Sequence, residues 1–239
     1  MALLEAHNVT KRFGGLTALR DLDFHVDAGE IVGLVGPNGS GKTTLFNVIG
    51  GTLRPNSGRV IFDSQDITGW TPARICHVGI ARTFQVVQPF LELSALTNVM
   101  VGACFGQVPP LSLQAGQYEA EQALERVGLD DQARLPARAL SLGQLKLLEL
   151  ARALATRPRL LLLDEVGSGL SPGYGVRLRA LLQELRLAGV TIVGIEHALH
   201  AVSNVSDRIV VLHKGQVLLE GNPPDVVNDP RVIEAYLGE

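Results

Sequence analysis

Gly36-Pro37-Asn38-Gly39-Ser40-Gly41-Lys42-Thr43-Thr44 is the stretch that decides the fold of this chain. It fits the pattern G-x-x-x-x-G-K-[ST], a loop that binds phosphate. The apolar, β-branched residues 31–35 before it predict a buried strand, and residues 44–49 after it carry apolar side chains at helical spacing. A strand, a glycine loop and a helix in this order form the context that the motif requires.

The residue types in this loop supply what a polyphosphate needs. Glycine allows successive backbone N–H groups to converge on one concavity, and a helix N-terminus adds N–H groups and the positive end of its dipole. We expect Lys42 to reach the β- and γ-phosphates, the Thr43 hydroxyl to hold Mg²⁺, and Thr44 to donate near the α-phosphate. The predicted nucleotide site therefore consists of Gly36, Pro37, Asn38, Gly39, Ser40, Gly41, Lys42, Thr43 and Thr44.

Composition narrows the function further. The chain has 239 residues, of which 46% are hydrophobic, enough for one large domain or a core with a subdomain. Its formal net charge of −3, without a basic block, argues against a nucleic-acid partner. Cys76 and Cys104 form no C-x-x-C, so we expect two buried thiols. We find no secretory signal and no apolar run long enough to span a bilayer, so any membrane contact is expected to pass through a partner.

Strands that alternate with helices predict an α/β fold with a mostly parallel core sheet. Strand-like residues 3–11 and 22–26 predict an antiparallel part at the N-terminus. Residues 86–155 instead predict an inserted α-helical subdomain, which leaves residues 1–85 and 156–239 as the core. Further strands are predicted at residues 59–62, 80–85, 160–163, 190–195, 209–212 and 216–220, and helices at 95–103, 119–127, 144–155, 175–187, 198–204 and twice after 223.

Two carboxylates follow the apolar residues 160–163. Because ligands sit at the carboxyl ends of parallel strands, we expect Asp164 to lie beside the glycine loop and anchor Mg²⁺. Glu165 is then placed to orient an attacking water or accept its proton. Without the loop, the same pair could equally be a surface acidic pair at a strand end.

Three other side chains each allow a functional and a structural interpretation. His197 follows a predicted core strand, where it could bond the γ-phosphate or the water. The amide oxygen of Gln85 could bond Mg²⁺ or its water, although a solvated glutamine fits as well. Phe13 offers a flat face for adenine and suits a core position equally.

Together these residues resemble the ATP-binding cassette (ABC) ATPase family over almost the whole chain. Leu140-Ser141-Leu142-Gly143-Gln144 is similar to the family signature LSGGQ, and a hydroxyl and N–H groups ahead of a helix make a second anion site. The resemblance implies that ATP and Mg²⁺ bind between two chains arranged head to tail, with the glycine loop of one and the signature of the other on each ATP. It assigns adenine stacking to Phe13, nucleotide contacts also to Ser141, Gly143 and Gln144, metal contacts to Thr43, Gln85 and Asp164, and catalytic roles to Lys42, Gln85, Glu165 and His197.

Finer resemblance points to one subfamily. Residues 82–85, 96–99, 195–197 and 235–239 look like the ATPases of branched-chain amino-acid importers, although lipopolysaccharide-export and urea-uptake ATPases share parts of this pattern. The resemblance implies a peripheral subunit on the cytoplasmic face of the inner membrane. It pairs with a second ATP-binding subunit, its own copy or a sister, on membrane permeases that a periplasmic binding protein supplies.

In that interpretation ATP closes two chains and hydrolysis reopens them, while Gln85 and the helical insert convey the motion to the permease. Residues 86–91 are the candidate docking surface, with ordinary core packing as the alternative.

Three departures from the family pattern keep other functions open. Leu142 replaces a signature glycine, Val166 stands where proline usually follows the glutamate, and Ser171 where Asp or Asn is usual. A regulatory module that binds ATP but barely hydrolyses it therefore stays an alternative. So does a soluble ABC-type ATPase acting on ribosomes or DNA, although such chains usually carry two cassettes or a long coiled-coil insert.

Overall fold

The computed structural model describes residues 2–167, 172–196 and 204–237. Two compact units make up the chain, one formed by Met1–Ile75 with Arg186–Glu239 and the other by Cys76–Leu185. The division expected from the motifs, at residues 86 and 155, stays a prediction.

The helices and strands follow one another in the order expected of an α/β chain. They are β1 (Ala2–Phe13), β2 (Leu16–Asp27), β3 (Ile31–Val35), α1 (Lys42–Ile49), β4 (Ser57–Phe62), β5 (Gln65–Asp66), α2 (Pro72–His77), β6 (Ile80–Arg82), α3 (Ala95–Phe105), α4 (Leu113–Val127), α5 (Leu142–Leu154), β7 (Leu160–Asp164), α6 (Pro172–Leu187), β8 (Thr191–Ile195), β9 (Arg208–His213), β10 (Gln216–Gly221), α7 (Pro223–Val227) and α8 (Pro230–Leu237). Short 3₁₀ turns stand at Asp130–Gln132 and Ala137–Ala139.

The first unit contains the predicted antiparallel part. Strand β1 pairs with both β2 and β4, in the order β2-β1-β4-β5. Both N-terminal strands run longer than their apolar patterns suggested, since the pairing continues to Phe13 opposite Leu16, next to the turn at Gly14. Backbone pairing between β1 and β2 extends both strands to this turn, so the apolar pattern of either strand alone does not give their ends.

Parallel strands form the rest of the first unit's sheet. Strand β3 pairs parallel with β8 and β9, and β10 closes the edge antiparallel to β9. Every residue of β3 is buried, as expected of a strand covered on both faces. An apolar cluster fixes its last residue among β9, α7 and α8, and consists of Val35, Ile209, Val211, Val226 and Val232. The chain leaves this cluster directly into the glycine loop.

In the second unit, β6 and β7 pair parallel and α3, α4 and α5 pack on one another. Glycines set two of these approaches. A Cβ at Gly102 would lie 2.5 Å from the Arg152 carbonyl oxygen, and one at Gly116 would lie 2.2 Å from the Cys104 Sγ. Helix α4 begins at residue 113, earlier than predicted, because the Ser112 hydroxyl caps it by accepting a hydrogen bond from the Ala115 N–H.

The remaining differences are local. Strand β6 ends at Arg82, so residues 83–85 lie outside the strand that was predicted to include them. Helix α2 was not predicted. His197, Ser171 and all but the last residue of the predicted helix at 198–204 lie outside the described residues. Within residues 2–167, 172–196 and 204–237, no helix is both long and apolar enough to cross a membrane.

Asn98 of α3 gives a stability prediction. Its fully buried amide accepts a hydrogen bond from the Phe90 N–H at 2.8 Å, and donates to the carbonyls of Phe90 and Ser94, each at 3.0 Å. Asn98→Ala leaves these backbone groups without their partner and should lower the free energy of unfolding by about 3 kcal/mol. Urea denaturation measures this, with the exposed Gln122→Ala on α4 as the control. Equal midpoints for both variants would contradict the assignment.

Candidate nucleotide-binding and catalytic site

The glycine loop takes a backbone path that other residues resist. Gly36, Gly39 and Gly41 have φ angles of 147°, 73° and 110°, where side chains are disfavoured. Space is short as well, because a Cβ at Gly36 would lie 2.1 Å from the Leu212 carbonyl oxygen and one at Gly41 would lie 2.8 Å from the Ala18 carbonyl oxygen. Conformation and packing therefore both require glycine in this loop.

A hairpin far along the chain holds the loop in place. The Gly215 N–H, in the turn between β9 and β10, donates to the Ser40 carbonyl at 2.9 Å, and the Gly215 carbonyl accepts from the Arg20 N–H at 3.0 Å. The backbone that faces a phosphate is thus fixed by β2 and by this hairpin turn before any ligand arrives.

Lys42 begins α1 and its side chain folds back into the loop. It is 6% exposed, and its Nζ donates to the carbonyls of Gly36 at 2.5 Å and Pro37 at 2.8 Å, with the Ser40 hydroxyl at 3.4 Å. An ammonium inside a ring of glycine-rich backbone, at the start of a helix, fits a polyphosphate. Thr43 is exposed and Thr44 is half-buried at the same helix end.

Phe13 does not belong to the core. Its side chain is 47% exposed at the end of β1, with the Lys11 Nζ 5.2 Å from the centre of its ring. The structural alternative of a packed aromatic is therefore wrong, and a ring face is available for stacking. Its contact with adenine stays a prediction.

In the second unit, Asp164 is held through both its side chain and its backbone. It is 2% exposed, and its Oδ2 lies 3.6 Å from the Arg82 Nη2. Its N–H donates to the Thr83 hydroxyl at 3.0 Å, while the Thr83 N–H donates to the Leu162 carbonyl at 2.9 Å. Contacts from Arg82 and Thr83, at the end of the neighbouring strand β6, thus hold the carboxylate of Asp164 at the end of β7.

Glu165 and Gln85, 80 positions apart, meet directly. The Gln85 Nε2 donates to the Glu165 Oε1 at 3.1 Å. Glu165 also has a φ of 52°, a left-handed conformation that costs about 1–3 kcal/mol for a residue other than glycine. The Lys146 Nζ donates to its carbonyl oxygen at 2.9 Å. Two side-chain contacts thus hold a strained residue beside Gln85, as is common at functional sites.

The signature residues form a helix cap. Helix α5 begins at Leu142, two residues before the predicted start, so Gly143 and Gln144 lie in its first turn. The Ser141 hydroxyl accepts from the Gln144 N–H, and the Gln144 Oε1 accepts from the Ser141 N–H at 2.9 Å and the Ser141 hydroxyl at 3.0 Å. Leu142 is 64% exposed, so it can occupy the place of a signature glycine without disturbing the core.

Sequence reasoning missed Thr83, Arg82 and Glu149 as parts of this site. Glu149 is 7% exposed and accepts from the Phe84 N–H at 3.1 Å, and burial raises the pKa of its carboxyl group. Its sequence signal was a charge inside the apolar face of α5. For Thr83 no local signal existed, since its partner lies 81 positions away.

Oxygen donors suited to Mg²⁺ occur in both units. Thr43 belongs to the first unit, and Gln85 and Asp164 belong to the second. Hydroxyl, amide and carboxylate oxygens are ligands that Mg²⁺ accepts, and one carboxylate is enough when phosphates and water complete its shell. In the described part of the chain, no cluster of three or more His, Cys, Asp or Glu residues could hold a metal by itself.

A parallel strand, a glycine loop with a buried lysine and a helix in direct succession define a P-loop nucleoside triphosphatase. Residues 19–168 match the family described as ABC transporter, and residues 216–239 match the one described as branched-chain amino acid ATP-binding cassette transporter. The chain therefore belongs to the ABC transporter family, as an ATP-binding subunit with ATPase activity.

Relatives resemble it over their full length. The high-affinity branched-chain amino acid transport ATP-binding proteins BraF of Pseudomonas aeruginosa and LivG of Escherichia coli are each 38% identical, over 99% of this chain and 98% of theirs. A nucleotide-free ATP-binding cassette from an ABC transporter superposes with a TM-score of 0.90 at 36% identity, over all of both chains. A dimeric cassette bound to ADP and Pi superposes with a TM-score of 0.84 at 28% identity, over 92% of this chain and 98% of its own.

Lys42→Ala should abolish tight ATP binding. The variant loses an ammonium for which the loop is built, and since hydrogen bonds to charged groups contribute about 1.5–3 kcal/mol each, we expect affinity to fall roughly a hundredfold or more. Equilibrium titration with ATP measures this, and Arg126→Ala on α4 controls for removal of a cation. An unchanged affinity in a folded variant would exclude the role.

Proposed function

We propose that the chain hydrolyses ATP with Mg²⁺ to drive the uptake of branched-chain amino acids, as a peripheral subunit at the cytoplasmic face of the cell membrane. The observation that carries the substrate class is the match over the full length to proteins named for that transport, which extends into residues 216–239. The amino-acid contacts belong to the permeases and to a periplasmic binding protein, and the chain supplies the energy.

Catalysis in this proposal consists of positioning and charge neutralisation. Lys42 and the N–H groups of the loop and of the first turn of α1 hold the phosphates. Thr43, Asp164 and Gln85 are the proposed ligands of Mg²⁺, which would supply a divalent charge to neutralise the phosphates. Arg82 and Thr83 keep the Asp164 carboxylate in place through the contacts described above.

Glu165 acts on the water in this proposal, and Gln85 controls it. The Gln85 amide has two ends, and its Nε2 already holds the Glu165 Oε1. Its amide oxygen remains a candidate metal ligand, so one side chain can link the metal to the base. His197, proposed to bond the γ-phosphate or the water, lies outside the described residues.

A second subunit completes the site in the proposed arrangement. The loop around Lys42 binds one face of the phosphates, and Ser141, Gly143 and Gln144 of a second chain bind the other. The first turn of α5 supports this role, because it presents a hydroxyl and helix N-terminal N–H groups at an exposed helix end. The dimeric cassette bound to ADP and Pi adds support by analogy.

Residues 86–91 are the proposed docking surface for the permease. Val86 is 74% exposed, Phe90 47% and Leu91 49%. Core packing does not account for these exposures, and neighbouring exposed apolar side chains mark interaction sites. The segment begins directly after Gln85, so a permease that moves it also moves a proposed metal ligand.

Glu165→Gln should keep ATP binding and lose hydrolysis. Glutamine preserves the shape and the oxygen that accepts from Gln85, but it cannot take a proton, so phosphate release should fall about 10²-fold or more. ATP titration and phosphate release together separate binding from chemistry, with Glu184→Gln on the exposed face of α6 as the control. Turnover near the wild-type rate would remove the proposed role of Glu165.

Val86→Asp should release the chain from its permease. A charge at the centre of an apolar contact costs several-fold to a hundredfold in affinity, about 1–3 kcal/mol. Co-purification from native membranes measures this. Leu187→Asp, at an 82% exposed position at the end of α6, is the control and should stay bound. If Val86→Asp co-purifies with the permease as well as the wild type does, the docking surface lies elsewhere.

One experiment tests the whole proposal. The complex purified from native membranes through this chain is reconstituted into vesicles and supplied with ATP and labelled leucine or urea. ATP-dependent leucine transport supports the proposal, and transport of urea alone overturns the substrate class. Recovery with ribosomes or DNA and without a permease favours the soluble ATPase instead.

A further inference from the structure

Three charged side chains on α5 bind the backbone of the two loops that carry Gln85 and Glu165. They are Lys146, Glu149 and Arg152, spaced three residues apart and thus neighbours along one side of the helix. The Lys146 Nζ donates to the Glu165 carbonyl at 2.9 Å, the Glu149 Oε2 accepts from the Phe84 N–H at 3.1 Å, and the Arg152 Nη1 donates to the Gln88 carbonyl at 2.8 Å. We call these three side chains the charged ridge.

The charged ridge brackets Gln85. Glu149 binds the residue immediately before it, and Arg152 binds the chain three residues after it. Arg152 also lies over the Phe90 ring, 5.2 Å from its centre, and Arg82 lies over the Phe84 ring at 4.5 Å. The backbone on both sides of Gln85 is therefore fixed to α5 by charged hydrogen bonds, with aromatic contacts next to them.

Burial makes the Glu149 contact strong. Glu149 is 7% exposed, and a hydrogen bond is electrostatically stronger where water is excluded. Buried carboxylates are rare unless they have a hydrogen-bonding or charged partner, because removing a carboxylate from water is costly. Here the carboxylate accepts from the Phe84 N–H, beside the proposed catalytic residue Gln85. An apolar side chain at position 149 would avoid the cost of desolvation, so we attribute the carboxylate to this contact.

Glu165, which accepts the hydrogen bond from Gln85, is also bound by α5. Glu165 accepts from Gln85 through its side chain and from Lys146 through its carbonyl oxygen. One helix therefore binds the backbone on both sides of Gln85 and the backbone of Glu165 itself. The same helix begins at the Ser141 cap.

We propose that Lys146, Glu149 and Arg152 are positioning residues that set Gln85 against Glu165 and tie both to the signature end of α5. This deepens the proposed function and rests on it. The contacts given above for these three side chains are to loop backbone and to the Phe90 ring. They act by fixing the Phe84–Gln88 backbone and the Glu165 carbonyl, so a shift of the signature helix moves the water-activating pair with it.

A double-mutant cycle tests the proposal on the complex purified from native membranes. Glu149→Ala should lower kcat about tenfold with KM for ATP changed less than about twofold, since misplacing a catalytic group costs rate rather than binding. Glu149→Gln keeps an acceptor oxygen for the Phe84 N–H and should restore most of the rate. In the Gln85→Ala background, Glu149→Ala should cause no further loss of kcat, because coupled residues are non-additive.

A purely structural role predicts different results. Glu149→Ala would then lower kcat by the same factor in both backgrounds, in parallel with the unfolding temperature, and that outcome overturns the proposal. Lys146→Met is a second test that leaves the Phe84 contact intact, and it should lower kcat by acting on Glu165. Glu125→Ala on the exposed face of α4 is the control. If the wild-type complex itself hydrolyses no ATP, the proposed function fails, which is a separate result.

Discussion

The ammonium of Lys42 is buried, and a buried charge is stable only where acceptors surround it. The Gly36 and Pro37 carbonyls and the Ser40 hydroxyl provide that shell. They can do so only if the backbone turns through positive φ angles, which explains the glycines. The fully buried β3 and the hairpin turn at Gly215 fix where that turn stands. Strand β3, the loop glycines and the hairpin turn together hold this one cation at the start of α1.

The second unit applies the same rule to anions. Asp164 is buried against Arg82, and Glu149 is buried against a loop N–H with Arg152 nearby. Each buried carboxylate has a positive or hydrogen-bonding partner from a different segment of the chain. Moving either loop would break these hydrogen bonds and leave a buried polar group without its partner, which is costly. The pairs therefore hold the loops in one conformation.

Local pattern was enough to predict the elements that carry the site. The glycine loop, the apolar strand before Asp164 and the helical runs of α3 and α4 are signals within one segment, and each element exists, although α4 begins six residues before its predicted start. The family and the α/β fold followed from their order. The extent of β1 and β2 did not, because the backbone pairing of each strand with its neighbour sets where it ends.

Contacts between residues far apart in the sequence could not be predicted from local sequence patterns. The Thr83 hydroxyl supports a residue 81 positions away and Glu149 a loop 65 positions away, so their purpose appears only once the chain is folded. The half-exposed Phe13 was undecided between core and surface for the same reason, since its burial depends on which residues lie opposite. Residues such as Thr83 and Glu149 are recognised only in the folded structure, as buried polar side chains whose partners lie far away in the sequence.

If an anion binds at Ser141 as proposed, the helix cap there has a consequence for how that anion leaves. Its hydroxyl already donates to the Gln144 amide oxygen, so a ligand that takes this proton exchanges one hydrogen bond for another and gains little net free energy from it. When the ligand departs, the Ser141 hydroxyl donates to the Gln144 amide oxygen again, and the helix cap is restored. Such a cap would bind an anion reversibly, which suits the proposed cycle in which two subunits close and reopen.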